Sequence, residues 1–221
     1  MRKMKRKILF ILPMFLVAFA AGQAQTVKDA DGNIYSTTLI GKQVWMTENL
    51  KTTKFNDGKP IPYVPQEKAW DALRSPGYCW LENDITNKET RGALYNWFAV
   101  GTKKLCPVGW HVPTNDEWTE MIDKLGDRET AGDKLKTTES GFWDYPFCHP
   151  SNDFDFSAVP SGLRLVSGVF PLFGKGRAVW WSSTANSTDA WNRGLSFDSS
   201  RAFKGDENLR YGFAVRCIKN Q

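Results

Sequence analysis

Cys106-Pro-Val-Gly-Trp-His-Val-Pro-Thr-Asn-Asp-Glu-Trp118 decides the fold together with its answer near the C-terminus, Gly212-Phe-Ala-Val-Arg-Cys-Ile218. In the first stretch Thr114 and Glu117 stand at capping-box spacing. Trp118, Met121, Ile122 and Leu125 then recur at helical spacing until Gly126, so the pattern predicts a capped amphipathic helix. The second stretch alternates like a strand, with Phe213, Val215 and Cys217 on one face and Ala214, Arg216 and Ile218 on the other. Each stretch carries one cysteine. In an oxidising compartment a helix start and a terminal strand can be stapled through such a pair, closing the ends of a compact domain.

The N-terminus supplies the compartment. Five basic residues (Arg2, Lys3, Lys5, Arg6, Lys7) precede the apolar run Ile8 to Ala21, and small residues stand at Gly22 and Ala24. This is the layout of a secretory signal peptide over residues 1–24, leaving Gln25 as the first mature residue. The apolar run is shorter than the roughly 20 residues a spanning helix needs, Pro13 interrupts it, and no cysteine stands at the cleavage point for acylation. The expected location is therefore secreted, periplasmic or outer-surface, with no stable membrane insertion.

Charge follows from the same division. The chain has 29 basic and 24 acidic residues, net +5, and all five signal-peptide charges are basic. The mature chain balances at 24 against 24, which leaves no basic footprint for nucleic acid. Residues 25–221 form one domain by length, with residues 26–66 as a β-rich N-terminal subregion. All ten tryptophans lie between Trp45 and Trp191. The four cysteines, Cys79, Cys106, Cys148 and Cys217, allow three connectivities, and the sequence alone does not choose among them. With only His111 and His149 beside them and no C-x-x-C, disulfides are favoured over a metal site.

Along the chain, Asp31-Gly32-Asn33 reads as a turn into a strand over Ile34–Ile40, and Gly41-Lys42 as a turn into Gln43–Met46. A helix is expected over Arg91–Val100, capped by Thr90 and stopped by Gly101. Residues 131–175 read as loop-rich, and strands return at 179–183, 190–197 and 211–219. Strands, two helices, a long loop region and a closing sheet make an α+β domain.

These pieces resemble a known family. Thr26-Val-Lys-Asp-Ala-Asp-Gly-Asn-Ile-Tyr35, Ile40-Gly-Lys-Gln-Val-Trp-Met46, Glu48-Asn-Leu-Lys-Thr52, Gly92-Ala-Leu-Tyr-Asn-Trp97, Cys106 to Trp118, Ala131-Gly-Asp-Lys-Leu-Lys136, Trp181-Ser-Ser-Thr184 and Val215-Arg-Cys217 occur in this order. Together they resemble the Fibrobacter succinogenes major paralogous domain, found in secreted and surface proteins of Bacteroidetes-type bacteria. The resemblance implies a C-type-lectin-like fold with two helices, a twisted antiparallel sheet and long loops. It also implies kinship with the formylglycine-generating enzyme group and the variable proteins of diversity-generating retroelements. The pairing expected is Cys106 with Cys217, which leaves Cys79 with Cys148.

The chemistry-bearing residues divide unevenly. None of the Glu-Pro-Asn, Gln-Pro-Asp or Trp-Asn-Asp triplets of calcium-dependent lectins is present. Glu82-Asn83-Asp84 and Asn152, Asp153 and Asp155 have calcium-like oxygen chemistry, but without liganding spacing they read as turn formers, so no cofactor is expected. A thiol pair from Cys79 and Cys148 lacks an activating neighbour. Ser182 or Ser183 with His111 and Asp116 has no nucleophile turn, and His111 reads as a packed or capping residue. Asn186-Ser-Thr188 is a sequon by pattern only.

Aromatic and fixed-geometry polar residues remain: Trp191, Arg193, Asp198, Arg201 and Phe203 in the segment 184–210, and Trp143 and Tyr145 upstream. By resemblance to lectin-like folds, 184–210 is the segment that carries ligand contacts, and such side chains suit sugar rings or protein surfaces. The function expected is a non-enzymatic module that binds an extracellular glycan or protein. An extracellular enzyme of the formylglycine-generating type and a self-associating surface subunit are the alternatives.

Overall fold

The computed structural model describes residues 25–143 and 148–221; the expected signal peptide and Tyr145 lie outside them. The chain starts with β1 (Thr26–Lys28), β2 (Ile34–Ile40) and β3 (Gln43–Met46). It continues through α1 (Glu67–Ala72), β4 (Tyr78–Trp80), α2 (Lys88–Arg91), β5 (Ala93–Tyr95), α3 (Trp97–Gly101) and β6 (Trp110–His111). Then come α4 (Asn115–Lys124), α5 (Ala131–Leu135), β7 (Arg177–Ala185), β8 (Asp189–Ser196), β9 (Ser199–Asn208) and β10 (Ile218–Lys219). The strands make three antiparallel sheets, ordered β1-β2-β3-β10-β6, β4-β5 and β7-β8-β9. This is an α+β protein. Among the described residues no helix is long and apolar enough to cross a membrane.

The β2–β3 hairpin follows the sequence pattern to the residue. Its turn is Gly41-Lys42, with Gly41 at φ +64°. In the preceding β1–β2 turn Asp29 Oδ1 accepts from the backbone N–H groups of Asp31 and Asn33, each at 2.9 Å, and Gly32 takes φ +90°. The sequence-predicted helix α4 forms as well. Thr114 and Glu117 close a reciprocal capping box, and Trp118, Met121 and Ile122 are buried.

The helix expected over Arg91–Val100 does not form as one element. Gly92, at φ +74° and ψ −170°, breaks it into α2 and β5, and Asn96 starts α3 by accepting from the Ala99 N–H. A Cβ at Gly92 would lie 2.6 Å from Asn49 Cβ, so close packing against the Asn49 segment imposes the break. A second difference is β9, read from sequence as loop because most of its side chains are polar. Pairing with β8 makes it a strand. The segment 184–210 is thus largely a hairpin rather than an inserted loop.

The closing segment ties the sheets together. Phe213 bridges Tyr95, Ala214 bridges Trp180, and only Ile218–Lys219 continue as a regular strand. Its expected two faces are real. Phe213, Val215 and Cys217 enter one apolar cluster with Trp181 and Tyr95, while Ala214 and Ile218 enter another with Trp45, Trp118 and Trp180. Cys106 and Cys217 are bonded with Cα atoms 5.9 Å apart, closing a sequence separation of 111.

The expected Cys79–Cys148 pairing is corrected, since both are free buried thiols in different surroundings. Cys79 sits on β4 beside Arg164, its thiol pushed up to about 12 by burial. Cys148 Sγ accepts from the fully buried Lys136 Nζ at 3.0 Å and faces the Phe197 carbonyl at 2.6 Å.

Candidate ligand-binding surface

The β8–β9 pairing places Trp191 opposite Asp206 and Arg193 opposite Lys204, so these four side chains share one face. Trp180, opposite Arg193 on β7, lies on the same face and packs its ring 5.8 Å from that of Trp118 on α4. The outer part of this face therefore runs into the exposed flank of α4.

Arg193 is the joint between them. It is 5 % exposed, and its Nη2 donates to Asn115 O at 3.2 Å, Asn115 Oδ1 at 2.9 Å and Thr119 Oγ1 at 2.9 Å. All these acceptors are neutral. Burial, then repulsion from Arg128, lowers its pKa to about 10, while Asp116 opposes the shift.

A cleft of ≈ 170 Å³ opens here, lined by Thr119, Ile122 and Asp123 of α4, by Arg128, and by Arg193, Ala202 and Lys204 of the hairpin. Arg128 and Lys204 are exposed cations with no carboxylate within ion-pair distance among the described residues. Lys204 Nζ instead lies 4.0 Å from the centroid of the half-exposed Trp191 ring. A shallower depression adjoins on α4, edged by Asp116, Glu120 and Lys124.

The sequence-predicted candidates do not all gather in this place. Trp191 and Arg193 do. Phe203 turns to the opposite face, where it lies against Gly194, and packs with the Trp181 cluster. Asp198 and Arg201 lie toward the β8–β9 turn, at the far end of β8 from Trp191. Asp198 accepts from Ser196 Oγ, and Arg201 Nε pairs with Glu129 at 3.1 Å. Trp143 is corrected from loop contact to core: it is 2 % exposed, its Nε1 donates to Ala158 O at 2.8 Å, and Lys136 Nζ stands over its ring. Arg193 is corrected from exposed contact to a buried residue that reaches the cleft only at its floor. Lys204 and Arg128 escaped the sequence reading. The alternation of Ala202, Lys204 and Asp206 was the available signal, hidden while β9 read as loop.

The remaining sites carry other roles. His111 Nδ1 lies 2.7 Å from Asn220 Oδ1, and its Nε2 lies 2.9 Å from Glu117 Oε1. Both ring nitrogens meet oxygen atoms, and the hydrogen bond to Glu117 chiefly raises the His111 pKa above its ordinary value, against the opposing effect of burial. Both ring nitrogens are engaged, and Ser182 Oγ is buried as acceptor for the Thr184 N–H; Ser183 lines the same cleft as His111, with no hydrogen bond between the two among the described residues. His111 also edges an apolar cleft of ≈ 370 Å³ beside the disulfide, with Trp97, Val100 and Leu105.

The oxygen-rich clusters build turns. Asp84 Oδ1 accepts from Thr86 N–H at 2.9 Å, Asn152 Oδ1 from Ser157 N–H at 2.8 Å, and Glu82 pairs with Lys175 at 2.7 Å. Among the described residues no three His, Cys, Asp or Glu side chains gather to hold a metal. In the sequon, Asn186 Oδ1 accepts from the N–H groups of Thr188 and Asp189, an Asx turn.

Taken together, these features define a disulfide-closed α+β domain with a cationic cleft between α4 and the β8–β9 hairpin, on the sheet face that also carries Trp191. Residues 39–219 match the Fibrobacter succinogenes major domain, and the chain belongs to that family. The match begins inside β2, so β1 and its turn lie upstream of it. No curated protein and no solved structure matches the chain.

Proposed function

We propose that the chain is an extracellular, non-enzymatic binding module of C-type-lectin-like architecture, which presents the Trp191 edge of its C-terminal hairpin to a glycan. One observation carries this reading. A half-exposed tryptophan lies on a rigid sheet beside a cleft lined by cations, in the position where an aromatic platform and fixed donors can grip a sugar together. Export through the signal-like N-terminus and closure by Cys106–Cys217 fit an oxidising compartment. The disulfide ties the segment before α4 to the C-terminal segment, and this closure supports the reading.

The test is a glycan array probed with the exported protein and with Trp191→Ala. The reading expects binding that the substitution lowers about tenfold at unchanged fold. Equal binding by both proteins would overturn it.

A further inference from the structure

We infer that the cleft between α4 and the β8–β9 hairpin takes an anionic group, and that the glycan recognised at Trp191 is an acidic one carrying carboxylate or sulfate. The inference rests on the proposed glycan-binding function and adds the chemical class of the ligand.

Three cations, Arg128, Arg193 and Lys204, face one small volume in which, among the described residues, Asp123 is the one lining carboxylate. Arg193 is the informative member. A guanidinium buried this deeply ordinarily meets a carboxylate, because removing a charge from water is costly unless an opposite charge compensates. Here its acceptors are the Asn115 and Asn192 carbonyls, the Asn115 amide oxygen and the Thr119 hydroxyl, all neutral. The like charge acting on it is that of Arg128, and Asp116 offsets this from the helix side.

Among the described residues the two outer cations also lack carboxylate partners. Lys204 lies on the Trp191 ring, and among the described residues the Arg128 side chain forms neither ion pair nor hydrogen bond, while its backbone carbonyl accepts from Ala202 N–H. An incoming carboxylate or sulfate would supply the missing counter-charge in a place where the walls limit screening.

Size favours a sugar substituent over a folded partner. At ≈ 170 Å³ the cleft is smaller than a usual drug-sized pocket and suits one charged group or ring. Trp191 lies on the same sheet face, its ring 4.0 Å from the lining Lys204 Nζ, where the next apolar sugar face would rest.

The experiment compares binding of the exported protein to oligogalacturonate and to its methyl ester, to dextran sulfate and to dextran, and to poly-glutamate. Arg128→Gln, Lys204→Gln and the remote exposed Lys59→Gln accompany the wild type. We expect an acidic glycan to bind while its neutral counterpart does not, with Arg128→Gln and Lys204→Gln each losing about tenfold and Lys59→Gln unchanged. Binding to oligogalacturonate assigns carboxylate and binding to dextran sulfate assigns sulfate; either supports the inference. Neutral glycans bound as tightly as acidic ones, with both charge variants unaffected, would overturn the inference. If Trp191→Ala still lowered binding in that case, the broader glycan reading would stand. Binding to poly-glutamate alone would overturn the glycan assignment. No binding to any of the five would overturn the acidic-glycan inference.

Discussion

Arg216 Nε donates to Asn49 Oδ1 at 3.0 Å, and the same oxygen accepts Trp180 Nε1 at 2.8 Å. One amide thus joins three sequence-distant motifs, Glu48-Asn-Leu, Trp180-Trp-Ser and Val215-Arg-Cys. Arg216 is fully buried, its guanidinium 4.1 Å from the Phe156 centroid, and it also donates to the carbonyls of Phe156 and Ser157. Asn49 Nδ2 completes the junction by donating to Arg91 O at 2.9 Å. Replacing Asn49 with Leu leaves a buried guanidinium and an indole N–H short of an acceptor. The expected loss is about 3 kcal/mol or more, read by chemical denaturation. An unchanged denaturation midpoint would show that water satisfies these groups instead.

Gly92 belongs to the same junction. It combines φ +74° with a Cβ position 2.6 Å from Asn49 Cβ and 2.9 Å from Leu50 O. Gly92→Ala is expected to cost about 1–3 kcal/mol through backbone strain and displacement of the Asn49 segment. The control is Gly58→Ala, at φ +82° with open space around it. If both substitutions cost the same, φ alone matters and packing at Gly92 does not.

These two residues also show what the sequence can and cannot disclose. The helix α4 was legible because its cap, stripe and stop are all local. The β2–β3 hairpin was legible because its turn residues are specific. The break at Gly92 is imposed by Asn49, 43 positions upstream, and no local pattern carries it. Trp143 failed for a related reason: a tryptophan in a loop-rich stretch reads as exposed until its partner, the Ala158 carbonyl, is known. In β9 the polar side chains disguised a strand held by its neighbour, and this hid the cationic half of the cleft.

The Cys106–Cys217 bond closes a loop of about 110 residues, for which chain-entropy estimates give about 4–5 kcal/mol. The double variant Cys106→Ala, Cys217→Ala should melt well below wild type, and reductant should lower the wild type to the same level. The two remaining thiols give a separate readout. Cys79 and Cys148 are buried, and burial pushes Cys79 up to about 12, so neither should react with a thiol reagent in the native state. Both should react after unfolding, and a failure of the unfolded, unreduced chain to expose two thiols would restore a Cys79–Cys148 bond.

The His111–Glu117 pair predicts the pH response at the start of α4. Glu117 raises the His111 pKa above 6.5, so this contribution is complete below pH 6.5 and fades as pH rises through the elevated folded value. Burial opposes ionisation of Glu117, but the His111 and Thr114 hydrogen bonds outweigh it and hold its carboxyl below 4.5. Its contribution is therefore complete above pH 4.5 and fades as pH falls through the lowered value. The pair contributes most between about pH 5 and 6.5. His111→Gln should be less stable than wild type at pH 5.5, with the gap narrowing at pH 8.5. A gap that stays constant across that range would mean that His111 acts by packing alone.

Trp143 and Trp191 separate structure from binding within one experiment. Trp143 is closed into the core with its N–H satisfied, so Trp143→Ala should cost about 3–5 kcal/mol and lower the melting temperature sharply. Trp191 is half-exposed, and its ring meets Lys204 Nζ at 4.0 Å across the hairpin. Trp191→Ala should change stability by no more than about 1 kcal/mol and leave the hairpin intact, since the strand pairing is backbone-borne. Arg201→Ala should likewise leave the melting temperature nearly unchanged, because it removes only an exposed pair with Glu129. On ligand binding the two surface variants should part: Trp191→Ala loses affinity, and Arg201→Ala, at the other end of β8, does not. If Trp191→Ala melted as low as Trp143→Ala, the indole would be a structural staple and the ligand surface would have to lie elsewhere.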